Sequence, residues 1–324
     1  MTPTSKPIDT DTLTAERAVL GVVHTVPDTP LPPGACDCHV HVFGAAGQYA
    51  FAPDRVFMPS PATVDDLIAH QQALGLDRVV VVQASPQGTN NTCLFDTLQT
   101  LQQRGREARG VAVVSPSISD SCAQALREAG VRGLRVNLQS YGTSDPDVAA
   151  QRLRETATVA ARYGWHVQVY TKLSVIEAVA DEVVQLGVPM VIDHFALAAA
   201  SGGTEQAGFA TLCELVRSGH VYVKLSAPYR IVEQPDGSDG TPVVRALIDA
   251  NPSRMLWGTD WPHTYHSPGL TRLRDRPEPF QPIDDGEQLE IFLRWTTPEE
   301  RQRILVDNPQ TLYEFSPQAL PHAR

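Results

Sequence analysis

Cysteine is scarce in this chain, and its placement does not indicate a disulfide framework. The 324 residues include five cysteines, an odd number spread over a large chain, at positions 36, 38, 93, 122 and 213. Small secreted domains that depend on disulfides show even numbers of cysteines at short spacings. We therefore expect reduced thiols and a cytoplasmic protein.

Basic residues are also few, and long apolar runs are missing. Lysine and arginine total 26 against 37 acidic residues, which gives a formal net charge of −11. Nucleic acids and anionic membranes bind surfaces that are rich in basic residues. No apolar run approaches the roughly 20 residues of a membrane helix. We expect neither nucleic acid nor membrane as a partner, and the sequence does not predict an oligomeric state.

Short β-branched runs alternate with amphipathic stretches along most of the chain. This alternation is typical of βα units around a parallel sheet. Eight candidate strands are found, at 35–41, 78–83, 110–114, 133–137, 166–170, 190–194, 221–225 and 255–260. Helical periodicity is evident at 63–74, 147–163, 174–186 and 209–218.

Eight units are the number at which a parallel sheet closes into a barrel. An open doubly wound sheet would carry a glycine-rich phosphate turn after its first strand, which is missing here. The sequence therefore predicts an α/β fold: a single (β/α)8 TIM barrel over residues 34–324, preceded by an extended Thr- and Pro-rich arm over residues 1–33. Residues 263–285 are expected to form a long loop, and residues 287–315 a helical segment broken near Pro298 and Pro309.

The strongest local motif is His39-Val40-His41, at the end of the first candidate strand. A strand of period two places both histidines on one face. The same alternation puts Asp37 on the histidine face and turns Cys36 and Cys38 towards the helices. We interpret these two cysteines as core packing rather than as metal ligands.

Two further chemically capable residues lie at equivalent strand ends. His194 closes the sixth candidate strand and Asp260 closes the eighth. Active sites of TIM barrels lie at the carboxyl ends of the strands. The three histidines and the aspartate are therefore expected to converge on one substrate.

Several motifs together resemble the amidohydrolase superfamily, and within it the 2-pyrone-4,6-dicarboxylate hydrolase-like lactonases. They are His39-Val40-His41, His194, the stretch Trp257 to His263, Val82 to Ser85, Arg132 to Asn137, and Val223 to Pro228. The resemblance spans roughly residues 34–315. It implies a hydrolase that opens a small carboxylated lactone, of the pyrone or muconolactone type, in the breakdown of aromatic carboxylates.

The resemblance also implies roles for the four residues. His39, His41 and His194 would polarise the lactone carbonyl, and Asp260 would deprotonate the attacking water. An ionised aspartate can act as a general base when its neighbours tune it. Hydrogen-bond donors aimed at a developing oxyanion supply the electrostatic stabilisation on which acyl transfer depends.

The same residues could also bind a metal ion. Three histidines and an aspartate also form a plausible ligand set for zinc or manganese. Our first expectation is that no cofactor is required, with one divalent metal (Zn or Mn) as the alternative. No lysine ends the fourth candidate strand to bridge two ions, so we do not expect a two-metal centre.

Substrate binding is assigned, through the same resemblance, to residues at other strand ends. Arg135, Arg230 and Tyr170 would contact carboxylates of the substrate, and Ser85 would add a hydroxyl donor. Arginine pairs with a carboxylate through two parallel hydrogen bonds. The expected partner is therefore a small anionic lactone.

The chain departs from the family pattern at three polar positions. Tyr141 and Leu197 stand where arginines are expected, and Phe57 stands where a tyrosine is expected. A substrate other than the pyrone dicarboxylate therefore fits better. Strand alternation directs Lys224 away from the pocket, and loop histidines such as His263 and His266 are commonly solvated.

Three alternative functions stay open from the sequence. A sugar-acid lactonase or lactone isomerase would use the same carbonyl-polarising residues on a hydroxylated ring, with donors such as Asn137 and Gln168. A metal-dependent decarboxylase of the same superfamily would need a bound ion. A barrel that only binds an anion is disfavoured, because all four residues of the catalytic set are present.

Overall fold

Eight parallel strands form one sheet in chain order in the computed structural model, which describes residues 18–264 and 271–317. The strands β1 to β8 are Cys36–Val40, Arg78–Val82, Glu107–Ala112, Val131–Asn137, His166–Tyr170, Met190–Ile192, Val221–Ser226 and Met255–Gly258. Each strand pairs in parallel with the next one along the chain. The predicted (β/α)8 barrel is confirmed.

The barrel closes through the backbone that carries the candidate catalytic residues. The amide of Asp260 donates to the carbonyl of His39 over 2.9 Å, and the amide of His41 donates to the carbonyl of Trp261 over 2.8 Å. These two bonds join the end of β1 to the residues that follow β8. We call this junction the closing seam.

A buried carboxylate reinforces the closing seam. Asp37 accepts hydrogen bonds from the amide and the hydroxyl of Thr259, at 3.0 and 2.6 Å. A Cβ on Gly258 would lie only 2.7 Å from the amide nitrogen of His39. The last residue of β8 must therefore be glycine for the two strands to approach this closely.

The helices α1 to α11 follow the strands and cover the outside of the barrel. They are Val64–Leu74, Thr92–Gln103, Asp120–Glu128, Pro146–Tyr163, Leu173–Ala178, Ala180–Gln185, Phe209–Arg217, Thr241–Ala250, Asp285–Trp295, Pro298–Gln302 and Asn308–Tyr313. The periodic segment 174–186 forms two helices that break at Val179. None of the helices in the described ranges is both long and apolar enough to span a membrane.

A β-bulge in β1 breaks the alternation on which the sequence interpretation relied. Asp37 pairs with Val79 and Val40 with Val81, so the two residues between them on β1 oppose a single residue of β2. The prediction that Asp37 shares the histidine face, with Cys36 and Cys38 on the opposite one, is therefore wrong. Both cysteines pack in a buried cluster with inward residues of other strands, including Val80, Val191 and Leu256. Their interpretation as buried packing residues agrees with this cluster.

The described part of the N-terminal arm lies against the barrel. Ala18–Val19 and Val22–Val23 form a short antiparallel hairpin. The amide of Thr25 donates to Asp284 over 2.9 Å, and the ring of His24 accepts from the amide of Asp285 over 3.1 Å. The arm therefore docks on the start of α9, while the domain boundary at residue 33 stays a prediction.

Below the strand ends, the barrel interior is tightly packed around His166. A Cβ on Gly133 of β4 would lie 2.2 Å from Nε2 of His166 on the neighbouring strand β5. The ring of Tyr313, from the last helix, contacts His166 edge-on from the other side, with a centroid distance of 5.2 Å. The glycine therefore makes room for a buried imidazole.

The Gly133→Ala variant is expected to lower the free energy of unfolding by about 1–3 kcal/mol, because overpacking forces the imidazole or the backbone to move. Urea unfolding of wild type, Gly133→Ala, His166→Ala and the double variant measures this. In the His166→Ala background the alanine should cost much less. Strictly additive effects would show that the two residues do not compete for the same space.

Candidate active site

The three predicted histidines converge on one oxygen of the predicted aspartate. The Nε2 atoms of His39 and His194 lie 3.6 Å from Oδ1 of Asp260, and that of His41 lies 3.7 Å away. All four side chains are buried. The structure thus brings together the residues that the sequence placed at the ends of three different strands.

Each imidazole is held by its other nitrogen. Nδ1 of His41 contacts the carbonyl of Val82 at 2.8 Å, and Nδ1 of His194 contacts the hydroxyl of Ser226 at 2.8 Å. A carbonyl can only accept, so Nδ1 of His41 must be the donor. In its neutral form, His41 therefore turns a bare Nε2 lone pair towards the centre.

The surroundings keep these imidazoles neutral. Burial is the largest cause that lowers the pKa of His41 and that of His194 to about 4; the charge of Arg135 adds to it for His41 and that of Arg230 for His194, while Asp260 opposes both. Burial, followed by the charge of Lys224, holds the pKa of His39 well below its usual range. Near neutral pH the three rings are therefore unprotonated hydrogen-bonding groups rather than cations.

His194 reaches the centre from a left-handed turn. His194, Phe195, Ala196 and Leu197 have φ between 50° and 57°, a conformation that side chains rarely adopt. Such residues cost roughly 1–2 kcal/mol each. Phe195 and Ala196 are completely buried, so their packing offsets this cost. Strain of this kind is commonly found at functional sites.

Asp260 is held by donors on the oxygen that faces away from the histidines. Tyr229 donates its hydroxyl to Oδ2 over 3.0 Å, and Arg230 donates through Nε over 3.1 Å and through Nη2. Burial alone would raise the pKa of Asp260, but the Arg230 guanidinium outweighs it and holds that pKa well below 3.8. The carboxylate is therefore ionised, with Oδ1 directed at the three rings.

A buried layer of charged groups lies next to His39. The ammonium of Lys224 is 2.8 Å from Oε1 of Gln168, 3.2 Å from Nδ1 of His39 and 3.4 Å from Asp193. Burial raises the pKa of Asp193, but His39 and Lys224 reverse this and lower it well below 3.8. Asp193 therefore balances the positive charge of Lys224.

The prediction that Lys224 points away from the pocket is wrong. On β7 the inward residues are Tyr222, Lys224 and Ser226, as their partners inside the barrel show. The sequence interpretation assigned the wrong phase to the strand, because a fully buried strand has no polar face from which to count. The ammonium reaches a predicted catalytic histidine instead.

The predicted substrate-binding residues lie around this centre. Arg135 donates to the carbonyl of Gln83 over 3.0 Å and lies 3.7 Å from Asp193. The ring of Tyr170 packs edge-on against His194, with centroids 5.2 Å apart, and its hydroxyl is 3.4 Å from Arg230. Ser85 begins a short turn after β2, and its carbonyl accepts from Tyr141 over 3.3 Å.

His263 is buried, not solvated as a loop residue would be expected to be. Its Nε2 contacts Asp285 at 2.9 Å, and its Nδ1 lies 3.3 Å from the hydroxyl of Tyr229. His70 contacts the same oxygen of Asp285 at 2.8 Å. The expectation for His263 is therefore wrong, and His266 lies outside the described residues.

Sequence reasoning missed the residues that support the catalytic set. Asp193 and Tyr229 each touch one of its members but belong to no motif, and Ser226, which touches His194, lies in the stretch Val223 to Pro228 but was given no role. Their only sequence signal is position, because Asp193 directly precedes His194 and Tyr229 directly precedes Arg230. Contacts between distant strands were needed to find them.

Three members of the central cluster, His39, His41 and Asp260, have ligand atoms within 4.8 Å of one another and fit a single divalent metal ion. A tetrahedral zinc site with bonds of about 2.1 Å separates its ligand atoms by roughly 3.4 Å, close to the spacing found between the histidines and Asp260. Nε2 of His39 is buried without a hydrogen-bond partner. Its Nδ1 also lies 3.2 Å from Asp193, so the ring can donate there and leave Nε2 bare. Carboxylate partners of this kind orient metal-binding histidines.

The barrel fold and its buried cluster of His and Asp side chains are typical of an enzyme. Comparison with known protein families identifies the family. Residues 36–315 match the amidohydrolase family. The chain belongs to this family.

Among curated relatives, 2-pyrone-4,6-dicarboxylate hydrolase of Comamonas testosteroni is 35% identical, covering 89% of this chain and 92% of that protein. The 4-sulfomuconolactone hydrolase of Hydrogenophaga intermedia is 30% identical, covering 87% and 89%. A solved structure of a putative 2-pyrone-4,6-dicarboxylic acid hydrolase from Pseudomonas putida aligns with a TM-score of 0.71 at 29% identity, covering 89% of this chain and all of that one.

The buried His166 generates a prediction about acid stability. Burial, followed by the charge of Lys224, lowers its pKa to about 3 from 6.5. The pKa of His166 is lower in the folded state than in the unfolded state. The contribution of its neutral form to the free energy of unfolding is therefore complete above pH 6.5 and is lost as the pH falls towards 3. The His166→Gln variant should reduce the slope of unfolding free energy between pH 6 and 4 by about 1.4 kcal/mol per pH unit. Urea unfolding at several pH values measures it, and an unchanged slope would contradict the assignment.

Proposed function

We propose that this protein hydrolyses a small carboxylated lactone of the pyrone or muconolactone type, as one step in the breakdown of aromatic carboxylates. The observation that carries the proposal is the convergence of three neutral imidazoles on one oxygen of an ionised, buried aspartate. The curated relatives that are named as lactone hydrolases support the same reaction. The overall change adds water across the ring ester and yields a hydroxy acid or its keto form.

The attacking water is held by two acceptors. Nε2 of His41 and Oδ1 of Asp260 are 3.7 Å apart, and both present lone pairs. A water that donates one hydrogen to each turns its own lone pair towards the substrate. Asp260 then takes the proton as the water oxygen bonds to the carbonyl carbon. In this assignment His41 positions the water and does not polarise the carbonyl.

The lactone carbonyl is polarised by His39 and His194. When Lys224 donates to Nδ1 of His39, that ring carries its hydrogen on Nε2 and can donate to the carbonyl oxygen. His194 can do the same when Ser226 donates to its Nδ1. These donors stabilise the oxyanion, the ring C–O bond breaks, and the proton held by Asp260 passes to the departing ring oxygen.

An anionic substrate would also make Asp260 a better base. Arg230 pairs with Asp260 and holds its pKa low. A substrate carboxylate that attracts Arg230 weakens this pair, so the pKa of Asp260 rises towards the range in which it accepts a proton. Tyr170 would contact the same anion, Arg135 would bind a second carboxylate of the substrate, and Ser85 would add a polar contact at the rim.

His39, His41 and Asp260 would hold one zinc or manganese ion, with His194, whose Nε2 lies 3.6 Å from Oδ1 of Asp260, as the fourth ligand. A bound ion would act as a Lewis acid on the carbonyl oxygen. The tautomer of His39 distinguishes the two states, because its Nδ1 has both Lys224 and Asp193 within 3.2 Å. When Nδ1 of His39 donates to Asp193, Nε2 carries no hydrogen and can bind a metal. When Nδ1 accepts from Lys224, Nε2 carries the hydrogen and cannot bind one.

A sugar-acid lactone is less well supported by the structure. The amide of Gln168 is already held by Lys224 and Asp193. Asn137 bonds to Ser140 through both its amide nitrogen and its oxygen, at 3.0 and 2.9 Å. These two donors are therefore not directed at a hydroxylated ring, whereas arginines lie next to the centre.

The Asp260→Asn variant should lower kcat for lactone opening by at least about a hundredfold, because an amide cannot accept the proton of water. The assay follows ring opening of muconolactones, pyrone carboxylates and sugar-acid lactones by absorbance or proton release. Asp249→Asn, an exposed carboxylate on α8, is the matched control and should keep wild-type activity. Turnover confined to sugar lactones, or release of CO2 instead of ring opening, would refute the proposal.

The metal fit is tested by binding rather than by activity. Protein stripped with a chelator should take up one equivalent of Zn²⁺ per chain, measured by titration calorimetry and elemental analysis. His41→Gln should abolish this uptake, and Ser226→Ala should weaken it by about 10–100-fold, because it removes the partner that orients His194. Uptake that is unchanged in His41→Gln would place the ion elsewhere.

A further inference from the structure

A side cavity opens next to Arg135, beyond the residues that carry the proposed chemistry. It has a volume of about 250 Å³ and lies between the ends of β2, β3 and β4 and helix α4. Its apolar walls include Val113, Val114, Val136 and Val159. The cavity therefore has the lining of a site for a hydrocarbon group.

Arg135 connects this cavity with the catalytic centre. The residue is 7% exposed, and its Nε is buried without a hydrogen-bond partner. Its Nη2 is 3.7 Å from Asp193, which is 3.2 Å from Nδ1 of His39. A ligand group in the cavity would thus contact Arg135, whose buried Nε–H still lacks an acceptor.

A second arginine lines the same cavity from the opposite side. Arg152 of α4 is exposed, and no carboxylate of the described residues forms an ion pair with it. Arg154, two residues further along the helix, is paired with Glu182. Glu155 also lines the cavity, and one of its oxygens accepts from Gln151 over 2.8 Å. The hydroxyl of Tyr141, another lining residue, is tied to the Ser85 carbonyl.

We propose that this cavity binds a side chain of the lactone substrate that has an apolar body and ends in a carboxylate, held between Arg135 and Arg152. The inference rests on the proposed hydrolase function for the identity of the ligand as a substrate. The apolar walls bury the body of the side chain, and the two guanidinium groups pair with its carboxylate. Arg152 is thereby assigned as a residue that determines specificity and takes no part in the bond changes.

The test uses binding of phenylacetate, with neutral 2-phenylacetamide as its isostere, by titration calorimetry on the full-length chain. Wild type should bind phenylacetate at least about tenfold more tightly than the amide. Arg152→Gln should weaken phenylacetate binding about tenfold, and Arg152→Lys should restore part of that affinity. Thr156→Phe, which fills the cavity, should weaken both ligands.

Arg154→Gln removes the same charge from the same helix outside the cavity, and it should leave binding unchanged. An equal loss in Arg154→Gln would show a general effect of net charge and would overturn the proposal. So would an affinity for phenylacetate that Arg152→Gln does not change.

Catalysis separates the two proposals. If no lactone is opened but the binding pattern holds, the subsite stands and the hydrolase function fails. If lactones are opened while Arg152→Gln alters neither phenylacetate binding nor the KM of carboxylated substrates, the subsite is wrong and the hydrolase function stands.

Discussion

The arrangement of this site depends on the closing seam of the barrel. Two backbone hydrogen bonds, from Asp260 to His39 and from His41 to Trp261, join the first strand to the residues after the eighth. The same bonds fix the distance between the candidate base and two of its histidines. Asp37, locked to Thr259, adds a buried contact to this junction. The hydrogen bonds that close the barrel are therefore also the ones that bring the site residues together.

Around the closing seam, hydrogen-bonding partners determine which atoms of the candidate catalytic residues carry a proton. Val82 forces His41 to present a lone pair, while Lys224 and Asp193 offer Nδ1 of His39 opposite choices. Tyr229 and Arg230 occupy one oxygen of Asp260 and leave the other directed at the three rings. The site thus combines acceptors for water with donors for a carbonyl, which is what ester hydrolysis requires.

The family relationship indicates the type of reaction, and the cavity beside Arg135 is expected to set the specificity of this protein for the substrate side chain. The curated relatives named for lactone hydrolysis share about a third of their residues with it. Tyr141, Arg152 and several valines line this side cavity. Specificity for the substrate side chain is therefore expected to reside in α4 and the strand ends next to it, outside the catalytic cluster.

The sequence by itself determined the barrel, the approximate bounds of its eight strands and the group of His39, His41, His194 and Asp260, because periodicity and strand order are local properties. It did not determine the bulge that re-aims β1, since Asp37 changes face only through its pairing with β2. It also missed Lys224 beside His39, and the pairing of Arg230 with Asp260. Those features depend on contacts between residues far apart in the chain, and only the tertiary structure decides them.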